Sequence, residues 1–306
     1  VLPPVLDPLH AMDEGQPQIH DKYPRNISTE IHQNFGDVDK AFKEAYHIRT
    51  DVFRGQRCNH AAMEPHAAVA IWDRGKLTVY SSSQSPHYHQ YGLARVFGLK
   101  MGDVRVLKTY VGGGFGGKLE PGPCEFVGSA LAMKTGKPVK VILDRYNVFT
   151  HNRGRHACYM KLTTGVTKEG KILGVWADFI VDGGAYTCLG IATAYYTGSL
   201  LPLLYEFDNF RFDCFRVHTN LPSCGAQRGH GAPQPRYAME SQMDLIAKDL
   251  GIDPIELRLR NARRPNTMTP NDLKINSCGF TEAILKAKEI SGWDEKKGKL
   301  PPGKGI

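Results

Sequence analysis

The chain has 306 residues, of which 41% are hydrophobic and 23% are charged. This is ordinary globular composition, and the length allows one large domain or two modest ones. No apolar run approaches the roughly 20 residues of a membrane span, and no charged-then-apolar signal opens the chain. The net charge of +8 comes from Lys and Arg spread through the sequence, which favours anionic small ligands over nucleic acid.

The seven cysteines are scattered and form no C-x-x-C pair. Their spacing argues against a zinc ribbon or an iron–sulfur cluster held within this chain. Such usage is typical of a reduced, cytoplasmic protein rather than a disulfide framework. We expect Cys224 to be a small buried thiol that fills space.

The first part of the chain alternates strands and helices after a proline-rich start. Residues 1–24 are weakly periodic and predict a linker from a preceding domain. Periodicity and capping residues then predict, in order, a helix over Asp37–Ala45, strands over Ile48–Phe53, Ala67–Trp72 and Lys76–Ser82, and a helix over His87–Phe97. The pair His87 and His89 is expected to lie on the surface rather than to bind a metal.

The second part contains a clear hairpin over residues 158–182, whose turn has Gly170 at the left-handed position. Around it the sequence predicts a strand over Val106–Val111, a helix over Cys124–Lys134, strands over Val139–Leu143 and 210–219, a helix through Met239, Met243, Ile246 and Leu250, a helix from Asp253 to Arg260, and a last helix over Phe280–Ile290.

These elements mix without a clean βαβ repeat. The predicted fold class is therefore α+β, with mixed or antiparallel sheets and flanking helices. We expect one domain over residues 25–292, with a possible break into two subdomains near residue 150. The basic stretch 293–306 is expected to be a tail that leads to a further, absent domain.

The glycine-rich loop Gly112–Lys118 (GGGFGGK) is the most unusual stretch of the chain. It fits the G-x-x-x-x-G-K pattern of a phosphate-binding loop, but Leu119 stands where a Ser or Thr should bind Mg²⁺. It also fits the dinucleotide pattern G-x-G-x-x-G. Both patterns need a helix to start on the last glycines, whereas the next helix is predicted near Cys124. A ligand-free glycine-rich hairpin is a third possibility.

Three ordered motifs together resemble one family. SSSQSP around Gln84, VGGGFGGK around Phe115 and NLPSCGAQRGHGAPQ around Arg228 resemble the first molybdenum-cofactor-binding domain of the molybdenum hydroxylases, the xanthine dehydrogenase and aldehyde oxidase superfamily. The segments MEPHAAVA from Met63 and GIDPIELRLRN from Gly251 fit the same pattern.

The resemblance implies that this chain binds molybdopterin with molybdenum, the cytosine dinucleotide form being expected. The pterin dithiolene holds the metal, so no protein side chain need ligate it. The residues that match the cofactor-binding positions of the family are Gln84, Gly113, Gly114, Phe115, Gly116 and Arg228. A neutral Gln amide can donate a hydrogen bond to an oxygen ligand of the metal, and a guanidinium offsets anionic charge.

The chain departs from the purine-hydroxylating members at the substrate pocket. Leu119 stands in place of their Glu, Tyr196 in place of their Arg, and His230 in place of their stacking Phe. With Gln227, these residues form the predicted pocket. The run Ala-Gln-Arg-Gly-His-Gly is similar to 4-hydroxybenzoyl-CoA reductase catalytic subunits, which predicts an aromatic substrate. The alternatives are a xanthine dehydrogenase- or aldehyde oxidase-type hydroxylase of an N-heterocycle or aldehyde, and a nucleotide-binding module built on Gly112–Lys118.

No residue of this chain matches the catalytic glutamate of the family, which the resemblance places in a second molybdenum-binding domain. The nearest carboxylates, Glu120, Glu125 and Glu240, do not match it. We therefore expect the isolated chain to be inactive. The resemblance also implies a [2Fe-2S] subunit and an FAD subunit as partners. The spread of charge and the lack of a long apolar run predict no nucleic-acid partner and no membrane span.

Overall fold

The computed structural model describes residues 2–305 as two large sheets and one two-stranded sheet, with helices around them. The strands are β1 (Ile27–Phe35), β2 (His47–Gly55), β3 (Ala67–Asp73), β4 (Lys76–Ser81), β5 (Val104–Lys108), β6 (Val139–Ile142), β7 (Cys158–Val166), β8 (Ile172–Asp182), β9 (Asn209–Val217), β10 (Thr267–Met268) and β11 (Lys274–Ile275). The α-helices are α1 (Val38–Glu44), α2 (Pro86–Phe97), α3 (Pro123–Thr135), α4 (Arg145–His151), α5 (Ile191–Leu200), α6 (Pro233–Leu250), α7 (Pro254–Asn261), α8 (Phe280–Ser291) and α9 (Trp293–Lys296).

The larger sheet has five strands in the order β1-β9-β8-β7-β2. All its pairs are antiparallel except β8 and β9, which run parallel. The parallel pair needs a crossover, and the segment between Asp182 and Asn209, which contains α5, supplies it. Helix α6 covers one face of this sheet, because Met239, Met243 and Ile246 recur at helical spacing and are all buried.

The smaller sheet has four strands in the order β5-β4-β3-β6. Strands β4 and β5 are parallel and are joined through α2, while β3 pairs antiparallel with both β4 and β6. Its core contains Ala70, Leu77, Val79 and Leu93 with Cys124 of α3. A third sheet, β10-β11, has two short strands.

The predicted class of mixed sheets with flanking helices is confirmed. The hairpin over residues 158–182 is β7–β8, and Gly170 has φ +82° at its turn. The strand expected to end at Val111 instead spans Val104–Lys108, because the chain leaves the sheet before the glycine loop. A division near residue 150 does not separate the sheets, since β1 and β2 pair with strands beyond residue 157.

The segment before β1 packs against the larger sheet. Val5 and Ala11 are buried beside Val217, and Asn220 Oδ1 accepts from the Val5 N–H at 2.8 Å. Within residues 2–305, none of the helices is both long and apolar enough to span a bilayer.

Two smaller expectations have different outcomes. Cys224 is fully buried, and burial raises the pKa of its thiol to about 12, as a space-filling cysteine requires. The expectation of a surface position was wrong for His89, which is 1% exposed, although His87 is exposed. The reason is helical geometry. Side chains two positions apart on a helix point in different directions, and His89 of α2 faces Glu125 of α3.

Candidate functional site

Two loops from different sheets face each other across one open cleft of about 360 Å³. The first loop, Gly112–Lys118, follows β5 of the smaller sheet, and the second, Ala226–Gly231, follows β9 of the larger one. The residues that line the cleft are Gln84, Phe115, Gly116, Leu119, Ala226, Gln227, Arg228, Gly229 and His230. None of these side chains is a carboxylate, and Arg228 contributes a fixed positive charge.

Close approach to other protein atoms explains the glycines of the first loop. A Cβ on Gly116 would lie 2.4 Å from the carbonyl oxygen of Ala226, and one on Gly114 would lie 2.5 Å from Oε1 of Gln84. Gly116 also has φ +101°, which a side chain disfavours. Phe115 itself takes φ +52°. The loop is therefore tightly fixed against its neighbours before any ligand binds.

Gln84 is held in one orientation by the glycine loop. Its side-chain Oε1 accepts from the backbone N–H groups of Gly116 at 2.9 Å and Lys118 at 3.2 Å. The backbone N–H of Gln84 donates to the Lys118 carbonyl at 2.9 Å. Because two donors fix the oxygen, the amide cannot be flipped. Its Nε2 has no acceptor within residues 2–305 and belongs to a side chain that lines the cleft.

Glu64 contacts both the first and the last residue of the same loop, Gly112 and Lys118. Glu64 Oε2 accepts from the Gly112 N–H at 2.7 Å and from Lys118 Nζ at 2.6 Å. The Lys118 side chain is buried, whereas the Glu64 side chain is 31% exposed, so the ion pair is shielded on the lysine side only.

This arrangement corrects the nucleotide-binding alternative. Lys118 points into the protein rather than at a phosphate, and α3 begins at Pro123, well after Gly117, the last glycine of the loop. Both phosphate motifs require the helix to start on the glycines, so neither applies to this loop.

Two histidines contact the loops from the protein interior: His66 stands in the MEPHAAVA segment, whereas His60 belongs to no predicted motif. His60 Nε2 lies 2.7 Å from the Ala226 carbonyl oxygen, and His66 Nε2 lies 3.0 Å from that of Gly117. A carbonyl only accepts, so each ring carries its proton on Nε2. Burial lowers the pKa of both rings, which keeps them neutral. The segment His60–His66 thus holds both loops.

The second loop meets the first directly. The Arg228 N–H donates to the Phe115 carbonyl at 2.9 Å, and the Arg228 guanidinium lies 5.4 Å from the centroid of the Phe115 ring. Arg155 Nη2 donates to the Arg228 carbonyl at 2.6 Å, which fixes the loop from the other side. The Oε1 atom of Gln227 is buried and has no partner within residues 2–305.

His230 and Tyr196 pack together at one end of the cleft. Their rings are 5.4 Å apart in an edge-to-face arrangement. His230 Nε2 lies 2.7 Å from Thr193 Oγ1 on α5, and burial lowers the pKa of the His230 ring.

Most of the residues predicted from the motifs converge on this cleft. Gln84, Phe115, Gly116, Leu119, Gln227, Arg228 and His230 line it directly. Gly114 contacts Gln84, and Tyr196 contacts His230, whereas a Cβ on Gly113 would face Ala62 behind the loop. The motifs did not predict His60, Arg155 or Thr193, since single residues on separate segments form no local pattern.

The three carboxylates near the motifs each have a structural partner. Glu125 is buried and accepts from Ser81 Oγ at 2.6 Å, Glu240 pairs with Arg258 at 2.8 Å, and Glu120 accepts from the Leu189 N–H at 3.2 Å. Across residues 2–305 there is also no group of three His, Cys, Asp or Glu side chains placed to hold a metal ion.

Comparisons with known proteins agree on one kind of domain. A family model described as a molybdopterin cofactor-binding domain matches residues 19–262. The nicotinate dehydrogenase large molybdopterin subunit of Eubacterium barkeri is 37% identical over 284 residues, which are 91% of this chain and 65% of that protein. The xanthine dehydrogenase molybdenum-binding subunit of Escherichia coli O157:H7 is 34% identical over 301 residues, 97% of this chain and 39% of that subunit.

A solved structure shows the same fold. The aldehyde oxidoreductase of Desulfovibrio gigas superposes with a TM-score of 0.91 at 29% sequence identity. The matched region is 98% of this chain and 33% of the oxidoreductase chain. The chain thus spans less than two thirds of each of these relatives. The names of these three proteins refer to nicotinate, xanthine and aldehyde, and none refers to 4-hydroxybenzoyl-CoA.

Proposed function

Since the chain belongs to the molybdopterin cofactor-binding domain family, we propose that its cleft binds the molybdenum cofactor of an oxidoreductase that acts on an aromatic ring. The observation that carries this proposal is the lining of the cleft. It presents hydrogen-bond donors and one guanidinium, Arg228, with no carboxylate among the lining residues. Such a surface suits an anionic, oxygen-rich ligand.

The residues present fit this cofactor. The backbone N–H groups of Gly114 and Phe115 have no acceptor within residues 2–305, and Gln84 Nε2 is likewise free. We infer that the two N–H groups and Arg228 bind the anionic cofactor, while Gln84 donates to an oxygen on the metal. When bound, the cofactor supplies two-electron redox chemistry, and the protein residues orient it and the substrate.

The substrate is inferred from the end of the cleft that contains Leu119, Tyr196 and His230. An apolar residue at 119 and an aromatic residue at 196 leave no charge pair there to hold a purine. Aromatic walls and an imidazole suit a flat ring with a polar atom.

Two reactions on such a ring remain candidates. Reductive removal of the hydroxyl of 4-hydroxybenzoyl-CoA is supported by the Ala-Gln-Arg-Gly-His-Gly motif at residues 226–231. Hydroxylation of an N-heterocycle is supported by 37% identity to a subunit of nicotinate dehydrogenase.

The remaining parts of the enzyme are also proposals. We expect the cytosine dinucleotide form of the pterin, [2Fe-2S] and FAD subunits, and a cytoplasmic location. We further expect a second molybdenum-binding domain that carries the general-base glutamate, so residues 1–306 alone should show no turnover.

The test is purification of the complete enzyme that contains this chain. Molybdenum and released pterin are measured per chain, and turnover is assayed with nicotinate, 4-hydroxybenzoyl-CoA, xanthine and benzaldehyde. We expect about one molybdenum and one pterin per chain, and turnover of an aromatic-ring substrate above xanthine. An enzyme without molybdenum, or one that turns over xanthine most efficiently, would contradict the cofactor or the substrate assignment respectively.

A further inference from the structure

The buried hydroxyl of Thr193 lies against one ring nitrogen of His230. Thr193 is 2% exposed, and its Oγ1 lies 2.7 Å from His230 Nε2. Within residues 2–305, this hydroxyl oxygen makes no hydrogen bond other than the one to His230. Its proton therefore has one available acceptor, the ring nitrogen.

The alternative arrangement leaves a buried donor without a partner. If His230 Nε2 carried the proton, Thr193 Oγ1 would accept it, and the hydroxyl proton would then face no acceptor. Leaving a buried donor unpaired costs about 1–3 kcal/mol, which favours the other tautomer about 5- to 150-fold. The neutral His230 ring thus carries its proton on Nδ1.

The Nδ1 atom of His230 has no protein partner within residues 2–305, and it is not one of the fully buried polar atoms. It is therefore open to solvent, on a side chain that lines the cleft. Tyr196 packs edge-to-face on the ring and restricts its rotation. Burial and the nearby Arg155 lower the pKa of His230, so the ring is neutral near pH 7.

We propose that Thr193 is a specificity-determining residue, which sets His230 as an Nδ1–H donor toward the substrate. The substrate class that this donor selects has an acceptor lone pair on or beside its aromatic ring, such as a pyridine-type nitrogen or a ring-bound oxygen. A ring that presents an N–H at that point would leave two donors facing each other and be rejected. This inference rests on the proposed function, which supplies the substrate.

The first experiment reads the tautomer directly. The ¹⁵N chemical shifts of the His230 ring nitrogens are measured by NMR in the full chain, for the wild type, Thr193→Ser and Thr193→Val. We expect a protonated Nδ1 and an unprotonated Nε2 in the wild type and in Thr193→Ser, and a mixture in Thr193→Val. A wild-type ring protonated on Nε2, or an unchanged ring in Thr193→Val, would overturn the proposal.

The second experiment reads selectivity in the complete enzyme. Quinoline and naphthalene have the same shape, but only quinoline has a ring nitrogen acceptor, so the ratio of their inhibition constants isolates that contact. We expect the wild type and Thr193→Ser to prefer quinoline, and Thr193→Val to lose about 3- to 10-fold of that preference. Thr193→Ala replaces Thr193→Val if the latter fails to fold.

Equal ratios in the wild type and Thr193→Val would overturn the role in specificity, whatever the NMR shows. The outcomes also separate this inference from the proposed function. If the enzyme lacks molybdenum or neither oxidises nor reduces an aromatic ring, the proposed function fails, while the tautomer is still decided by NMR.

Discussion

The oxygen and the nitrogen of the Gln84 side-chain amide have different roles, and substitutions can distinguish the two roles. Its Oε1 anchors the glycine loop through Gly116 and Lys118, while its Nε2 is free at the cleft. In Gln84→Glu the carboxylate still accepts from the loop but no longer donates. We expect stability close to that of the wild type and at least about a tenfold loss of molybdenum retained after dialysis, since a carboxylate repels an anionic ligand.

The control is Gln84→Met, which removes both functions. It is expected to lower the free energy of unfolding by about 1–2 kcal/mol, because two loop N–H groups lose their acceptor. Thermal unfolding and molybdenum content are measured for both variants. If Gln84→Glu retains the cofactor fully, the free amide donor has no role in binding it.

Gly116 tests whether the glycines serve close packing. Gly116→Ala would place a methyl group 2.4 Å from the Ala226 carbonyl oxygen at φ +101°, so we expect a loss of about 3 kcal/mol in the free energy of unfolding. Gly75 has φ +78° and open space around its Cα, so Gly75→Ala is expected to lower the free energy of unfolding by about 1 kcal/mol. Gly102→Ala, with no positive φ and nothing near, should change it by less than about 0.5 kcal/mol. Equal losses in all three would refute the packing argument.

At the scale of elements, the segment His60–His66 makes the cleft sensitive to acid. Burial lowers the pKa of His60 and His66 in the folded protein relative to about 6.5 in the unfolded chain. The unfolded state therefore binds more protons as the pH falls below about 6.5, and the folded state loses stability. We expect the free energy of unfolding to decrease between pH 7.5 and pH 5.5.

A substitution isolates the contribution of one ring. His60→Gln keeps a donor for the Ala226 carbonyl but cannot take up a proton, so its stability should depend less on pH than that of the wild type. His87→Gln replaces an exposed histidine and is the matched control. Urea denaturation across the pH range gives the slopes, and parallel slopes for the wild type and His60→Gln would count against the proposed role of His60.

The sequence predicted elements best where the periodic signal was strong. The buried face of α6 follows from Met239, Met243 and Ile246 at helical spacing, and the hairpin follows from alternation around Gly170. Strand β1 and helix α5 were not predicted, and neither was the parallel pairing of β8 with β9. Parallel pairing joins strands through a long connection, and no local pattern specifies which strand will be the neighbour.

The candidate site could likewise be predicted from the sequence only where its residues stand in motifs. The glycine loop, Gln84 and Arg228 stand in motifs that are recognisable along the chain. Thr193 and His60 act through single contacts to residues about 37 and 166 positions away, and only the folded chain brings these partners together. Their importance comes from the hydrogen bond each makes, not from any neighbouring residue.

At the scale of the whole molecule, the cleft lies where the two sheets meet. The first loop is fixed to the smaller sheet through Glu64 and Gln84, and the second follows β9 of the larger sheet. Only a few contacts, such as Arg228 N–H to the Phe115 carbonyl, join the loops directly. A ligand that binds both loops should therefore couple the two sheets, and we expect the bound cofactor to raise the melting temperature of both together.

The central claim is that one cofactor bridges these two loops. It is tested by amide hydrogen exchange on the complete enzyme, prepared with its cofactor and from a host that cannot make molybdopterin. The account predicts that the cofactor slows exchange at 113–116 and at 227–231 together, with little change on the outer strands β1 and β2. Equal exchange in the two preparations at both loops, or protection at only one of them, would contradict it.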